Sequence, residues 1–408
     1  MPKPLSGIRV LDFSHFMAGP FATFNLSLLG AEVVKVESSA GDGFRGYGKN
    51  DPYGEMGMGF AFIGANAGKK SIVLDLKSDA GMDVARRLIA ESDVVVENFR
   101  PGIADRLGIG YESCKTIRED IVYCSISGYG QTGPMRDYPA IDNVIQATSG
   151  MMSVSGDEGS PPMRIGIPAV DTFTGSLTAY AILAALMQRE RFGTGQRIDM
   201  ALMDASLVLM TGVAMQALVK GEVARKQGNV GLSGQATAAA YTCRDGRLIS
   251  LGAIRNHHFA ILCEEMRRPE LSDDERFANP PGRVANTEAL AAILTEELAK
   301  RDAEEWETIL SRRGVPCGMV RTVAEALELP QLNERNLKVP MHVDGLPRED
   351  FHILNAGFEF EHDGPEVAGL PPRLGEHTQE VLRALGYSEA EIERMIAEGA
   401  ASPQRNPS

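Results

Sequence analysis

Basic residues are in deficit in this chain: 41 Lys and Arg against 55 Asp and Glu, a net charge of −14 over 408 residues. That balance excludes nucleic acid or an anionic membrane as the main partner, because both repel a negatively charged surface. An anionic ligand therefore needs a local basic pocket. Cysteine is scarce too. The five (Cys114, Cys124, Cys243, Cys263, Cys317) are odd in number and contain no Cys-x-x-Cys pair, so no disulfide framework is expected, and free thiols fit a cytoplasmic protein. No uninterrupted apolar run reaches the length of a bilayer span, and Met1-Pro2-Lys3-Pro4 leads into a strand-like segment rather than a leader.

Several catalytic signatures are missing as well. There is no Gly-x-x-x-x-Gly-Lys-Ser/Thr for a P-loop, no Gly-x-Ser-x-Gly elbow and no His-Glu-x-x-His, so neither a Ser-His triad nor a catalytic zinc is supported and no metal is expected. One Gly-x-Gly-x-x-Gly does occur, at Gly41-Asp42-Gly43-Phe44-Arg45-Gly46, after a strand-like run. A dinucleotide site needs a helix to start inside that motif, to hold the pyrophosphate at its N-terminus. Here the chain runs on through Gly48, Asn50 and Pro52, which do not begin a helix. The motif reads as a flexible loop, one that at most closes over a ligand.

What is present is alternation. Strand-like runs at 8–13, 32–37, 71–75, 94–97 and 121–126 are interleaved with helical patterns at 21–29 and 79–91, then 143–149, 174–191 and 201–218. That order predicts an α/β protein with a doubly wound, Rossmann-like parallel sheet. With 43% hydrophobic residues the chain is long enough for two cores. The composition shifts after Lys220. Residues 1–219 are expected to form the N-terminal part of a large domain, 220–240 a Gly- and Ala-rich linker or mobile loop, and 241–329 a smaller α/β domain. Residues 330–408 are read as a linker and a C-terminal return to the large domain, with 402–408 disordered.

Two segments carry candidate chemistry. Asn98, Phe99 and Arg100 end a strand, with Arg106 one turn on and Lys69, Lys70 and Lys77 around another strand. Ligands of parallel sheets bind at the carboxyl ends of strands, and an aromatic face beside cations suits a phosphorylated nucleotide. The second segment is GIPAVDTFTG at 166–175. It places Asp171 at a helix start, where N–H groups and the helix dipole favour the ionised carboxylate. Locally, Asp171 reads either as a helix cap or as a nucleophile.

The whole chain resembles the family III (CaiB/BaiF) CoA-transferases, the group of formyl-CoA transferase and carnitine CoA-transferase. The matching phrases are PLSGIRVLDF at 4–13, GAEVVKVE at 30–37, VENFRPG at 96–102, SGYGQTGP at 127–134, GTGQRID at 193–199 and LGEHT at 374–378, in the family's order. The resemblance implies that Asp171 is the catalytic carboxylate. It implies that Phe16, Met17, Leu74, Asp75, Leu76, Lys77, Asn98, Phe99, Arg100 and Arg106 line a CoA site, and that the chain forms an interlocked homodimer. CoA is then a substrate and no cofactor is required. The implied reaction moves CoA from an acyl-CoA donor to a carboxylic acid through an aspartyl anhydride and an aspartyl-CoA thioester. Main-chain N–H groups at 172–174 are expected to steady the oxyanions; Asp142 reads either as a group that positions Asp171 or a water, or as a surface or capping residue.

Departures narrow the reading. Met17 and Ser38 stand where formyl-CoA transferase has Gln and Arg, and residues 228–234 are a thin substitute for its glycine-rich lid, so oxalate and formate are not the expected substrates. Phe16, Met17, Met151 and Met152 point to a more apolar wall, and succinyl-CoA is the first donor to test. The α-methylacyl-CoA racemases share the fold and pair their Asp with a His. The matching phrase here is Ala140-Ile141-Asp142-Asn143, and Ile141 carries no proton. Racemase or isomerase, and non-catalytic acyl-CoA binding, are the alternatives.

Overall fold

In the structure, a computed structural model that describes residues 2–48, 50–231 and 233–403, six strands pair in parallel in one sheet. They are β1 (Arg9–Asp12), β2 (Glu32–Glu37), β3 (Lys70–Leu74), β4 (Val94–Glu97), β5 (Val122–Ser127) and β6 (Gln196–Ala201). Their spatial order is 3-2-1-4-5-6. Successive strand residues face opposite sides. Leu11 and Val95 therefore enter one core with the Asp79–Glu91 helix, while Val10, Val94 and Val96 enter the other with Ala18–Leu28 and Ala169–Phe192. Coverage on both faces explains why β4 reads as an unbroken Val run.

A second sheet contains β7 (Ala240–Thr242), β8 (Leu248–Leu251) and β9 (Cys317–Met319), all antiparallel. β10 (Lys338–His342) and β11 (Asp350–Leu354) pair as a hairpin, and β12 (Ala401–Ser402) adds antiparallel to the free edge of β3. The parallel sheet was legible from apolar runs, but β6, the β10–β11 hairpin and β12 were not. β6 is an edge strand whose polar Gln196 and Arg197 carry no apolar alternation.

The chain divides into two compact units, residues 1–151, 165–221 and 331–408 in one, and 152–164 with 222–330 in the other. Three expectations change. Residues 152–164 leave the larger unit, because Lys226 Nζ donates to the carbonyls of Ser160 and Pro161 at 2.6 and 2.7 Å. The expected linker 220–240 mostly belongs to the second unit: Ala236 and Thr237 are buried there, and Gln235 accepts from the buried Arg283 at 2.9 Å. At the C-terminus, Ser402 is not loose but pairs with Val73; residues 404–408 lie outside the described residues. The second unit packs its three strands and its helices around Phe259, Leu294 and Trp306.

Two helices also differ from the reading of the sequence. The predicted helix 201–218 breaks at Met210 into Leu202–Leu209 and Thr211–Lys220, bent by 83°. The Ala169–Phe192 helix starts five residues earlier than expected and spans 24 residues, long and apolar enough to cross a membrane. Counting only the uninterrupted apolar run missed that length. Its Val170, Ile182, Ala185 and Leu186 pack in the sheet core, which accounts for the composition without a bilayer.

Candidate active site

The strand order reverses between β1 and β4: the chain leaves β1 toward β2 on one side and leaves β4 toward β5 on the other. A crevice opens at the carboxyl ends where that happens. The residues that follow the two strands meet across it. Asn98 Nδ2 donates to the carbonyl of His15 at 2.7 Å, and its Oδ1 accepts from His15 N–H at 2.8 Å. The Phe99 ring meets His15 edge-on, centroids 5.4 Å apart. Phe16 takes up φ 64°, a left-handed conformation rare for bulky residues. The residue is 54% exposed, and its ring packs edge-on against Phe44. Met17, half-buried, leads into the Ala18–Leu28 helix.

Beneath this turn lies a buried ionic cluster that explains the Gly-x-Gly-x-x-Gly match. Asp42 Oδ1 accepts from Phe16 N–H at 3.1 Å and Phe44 N–H at 2.9 Å, and its Oδ2 lies 3.0 Å from Lys35 Nζ. Arg45 is bidentate to Glu37 at 2.7 Å for both bonds. A Cβ on Gly43 would fall 2.6 Å from the Phe16 ring, so that glycine gives the aromatic room. The motif is thus a fixed structural turn, neither a nucleotide cradle nor a flexible loop: Asp42 and Arg45 are 2% and 4% exposed.

On the far side of β4 a cleft of about 350 Å³ is lined by Asn98, Phe99, Arg100, Arg136, Tyr138 and Ile141. Arg106 and Arg136 converge on Gly102, each guanidinium within 3.7 Å of where a Cβ would stand. Gly102 is left-handed (φ 81°), and its lack of a side chain leaves space for both. The side chains of Arg100, Arg106 and Arg136 have no hydrogen-bond or ion-pair partner among the described residues. Two unpaired guanidiniums that meet at Gly102, with Arg100 lining the same cleft as Arg136, are an arrangement that suits an anion. Arg136 was not singled out in the sequence; it lies two residues beyond the SGYGQTGP phrase, which was the available signal.

The segment 74–77 lies at the same end of the sheet, after β3. Leu74 does not present its side chain to a ligand: it is 2% exposed, belongs to the sheet core and pairs with Ala401. Leu76 packs against that core. Asp75 Oδ1 accepts from Lys77 N–H at 3.0 Å. Asp75 and Lys77 are exposed, and the Lys77 ammonium is unpaired among the described residues.

Asp171 is the third residue of the Ala169–Phe192 helix and is half-buried. It is not the cap. Asp142 Oδ2 accepts from Val170 N–H at 2.9 Å and Asp171 N–H at 3.1 Å. Asp142 Oδ1 accepts from Gln146 Nε2 at 2.6 Å, and Gln146 Oε1 accepts from Ile165 N–H at 2.9 Å. This chain of bonds fixes the approach to the helix and leaves the Asp171 carboxylate without a hydrogen-bond partner among the described residues.

The electrostatics reverse what the sequence predicted. Burial first, then the neighbouring Asp142 carboxylate, push the Asp171 carboxyl up from 3.8 to about 7. The helix start does not hold it ionised, because the first-turn donors already serve Asp142. The expected oxyanion donors at 172–174 are likewise engaged: Thr172 N–H donates to Pro168 O at 3.0 Å, and Phe173 and Thr174 sit within the helical ladder. Ile141, 63% exposed, lines the cleft one residue before Asp142 and offers no proton to a substrate.

The chain as a whole has known relatives. The profile of CoA-transferase family III matches residues 5–378. The chain is 35% identical over 399 residues to a succinyl-CoA:glutarate CoA-transferase of Mus musculus, covering 97% of this chain and 90% of that one. It is 35% identical over 393 residues to an acetyl-CoA:oxalate CoA-transferase of Acetobacter aceti, covering 95% and 98%. The crystal structure of a CAIB/BAIF family protein from Brucella suis superposes with TM-score 0.84 at 35% identity, over 94% of this chain and 100% of that one.

Proposed function

Because this chain belongs to CoA-transferase family III and is a CoA-transferase, we propose that it transfers CoA from succinyl-CoA to a short carboxylic acid, with Asp171 as the nucleophile. The observation that carries this reading is the Asp171 carboxylate itself: unpaired among the described residues, half-buried, and with its N–H held by Asp142, whose neighbour Ile141 lines a cleft with Arg100 and Arg136. Relatives from Mus musculus and Agrobacterium fabrum are named for succinate and glutarate, which makes succinyl-CoA the first donor and a dicarboxylate the first acceptor. CoA phosphates would pair with Arg100, Arg106, Arg136 and Lys77. The adenine would lie against Phe16 or Phe99, with the acyl end beside Met17.

The steps follow from a carboxylate meeting a thioester. An Asp171 oxygen attacks the donor carbonyl; the C–S bond breaks, leaving an acyl-aspartyl anhydride and CoA thiolate. The thiolate attacks the Asp171 carbonyl carbon, expels the donor acid and forms aspartyl-CoA. The acceptor carboxylate displaces the thiolate to give a second anhydride. The thiolate then attacks the acceptor carbonyl, forms the new acyl-CoA and regenerates the carboxylate. Every bond broken is replaced by one of comparable activation, so no cofactor or ATP enters.

The reading includes a cytoplasmic homodimer. The Thr211–Lys220 helix buries none of its residues, and Tyr180, Met187 and Phe192 are exposed on the long helix. A second copy would cover such surface.

The test is to incubate the protein with succinyl-CoA, quench, and map by mass spectrometry the peptide that carries CoA. A CoA adduct on Asp171, lost on hydroxylamine treatment and absent in Asp171→Ala, is expected. Full transferase activity in a folded Asp171→Ala protein sinks the assignment.

A further inference from the structure

The two walls of the crevice are tied together by side chain to main chain bonds. Asn98 is among the residues implied to line the CoA site, yet both polar atoms of its carboxamide are engaged by the main chain of His15, at 2.7 and 2.8 Å. From the other side, Asp42 Oδ1 holds Phe16 N–H while Oδ2 is paired with Lys35, and Lys35 Nζ also donates to Ser14 O at 2.6 Å. Residues 14, 15 and 16 therefore each have a main-chain group fixed by a side chain from another segment.

The turn so held is one the sequence would not choose. Five non-glycine residues have positive φ among the described residues: Phe16, Asn50, Arg267, Asn336 and Asp363. Phe16 is the one aromatic among them, and it is exposed rather than packed into the core. A bulky residue stays in the left-handed region only when its surroundings over-determine it, a condition that clusters at ligand sites.

We infer that Asn98 and Asp42 are positioning residues: they hold the 14–17 turn so that the Phe16 ring stands ready at the mouth of the crevice, and Asn98 does so without contacting CoA. The inference rests on the proposed CoA site. A preformed surface avoids the cost of ordering the turn on binding. Release of either clamp lets Phe16 relax toward negative φ and withdraws the ring.

A double-mutant cycle on the full chain tests this, with CoA itself titrated calorimetrically. Asn98→Ala is expected to weaken CoA binding about tenfold while kcat at saturating donor stays within about twofold. Asn98→Asp, which keeps the acceptor for His15 N–H and loses the donor to His15 O, should fall between. Glycine adopts φ 64° without restraint. In a Phe16→Gly background, Asn98→Ala should therefore cost no more than about twofold. Equal losses in both backgrounds would mean that Asn98 touches CoA directly, and the inference fails. Should Asn98→Ala not fold, the Asn98→Asp variant carries the same cycle. Failure of the unmodified protein to bind CoA at all would instead overturn the proposed function.

Discussion

Two sets of carboxylates in the larger unit are tuned in opposite directions. Asp12 and Glu37, below the 14–17 turn, are fully buried. Burial by itself would raise both, but the cations outweigh it. Lys69 and Lys35 hold Asp12 far below the usual range, and Arg45 brings Glu37 down to about 2. Asp171 is less deeply buried, yet it rises to about 7, because its burial is offset by no cation and the Asp142 carboxylate adds to it. Paired carboxylates make a rigid base. A buried carboxylate next to a second one is a cost that a stable fold alone does not require, and such sites are candidates for chemistry.

The contrast has consequences in order of size. Asp171→Ala should lower kcat by about 10³-fold or more while leaving the urea midpoint unchanged or higher; a large loss of stability would place Asp171 with the structural set. Asp12→Ala should do the reverse, costing about 3–5 kcal/mol in urea unfolding because Lys69 is left as a buried unpaired charge. A small loss there would break the contrast from the other side.

The pH dependence sharpens it. Glu37 is depressed from 4.5 to about 2, so its stabilisation is present above pH 4.5 and is lost as pH falls through 2. Asp171 is raised from 3.8 to about 7, so its stabilisation is full below 3.8 and is lost as pH rises through 7. Urea midpoints measured across pH should show Asp171→Asn gaining on the native protein between those values. Glu37→Gln should lose its deficit only in acid. Donor kcat/KM should rise with pH around 7 in the native protein. Asp142→Asn, whose amide oxygen still accepts from Val170 and Asp171, should shift that limb down by about one unit. The smallest effect is expected from Arg136→Ala: an exposed charge whose loss should raise the CoA dissociation constant about fivefold, read by calorimetry.

Some features were legible in the sequence and others were not, for physical reasons. β1 to β5 are apolar because both faces of a parallel sheet are covered, so composition along the chain announced them. β12 is two residues long and is a strand only because β3 has a free edge for it. The family was readable from phrases spread over the whole length, and it is matched across residues 5–378. Arg136 was hidden because its guanidinium nears Arg106 only through the left-handed Gly102.

Sequence by itself determined that a carboxylate sits at residue 171, at the head of a long apolar helix, in a chain of CoA-transferase type. Only the tertiary structure decided the state of that carboxylate. A cap or a dipole acts within one helical turn, so local sequence predicted ionisation. Burial and a second carboxylate 29 residues away in sequence act through space, and only the packed fold brings Asp142 to the helix start and raises Asp171.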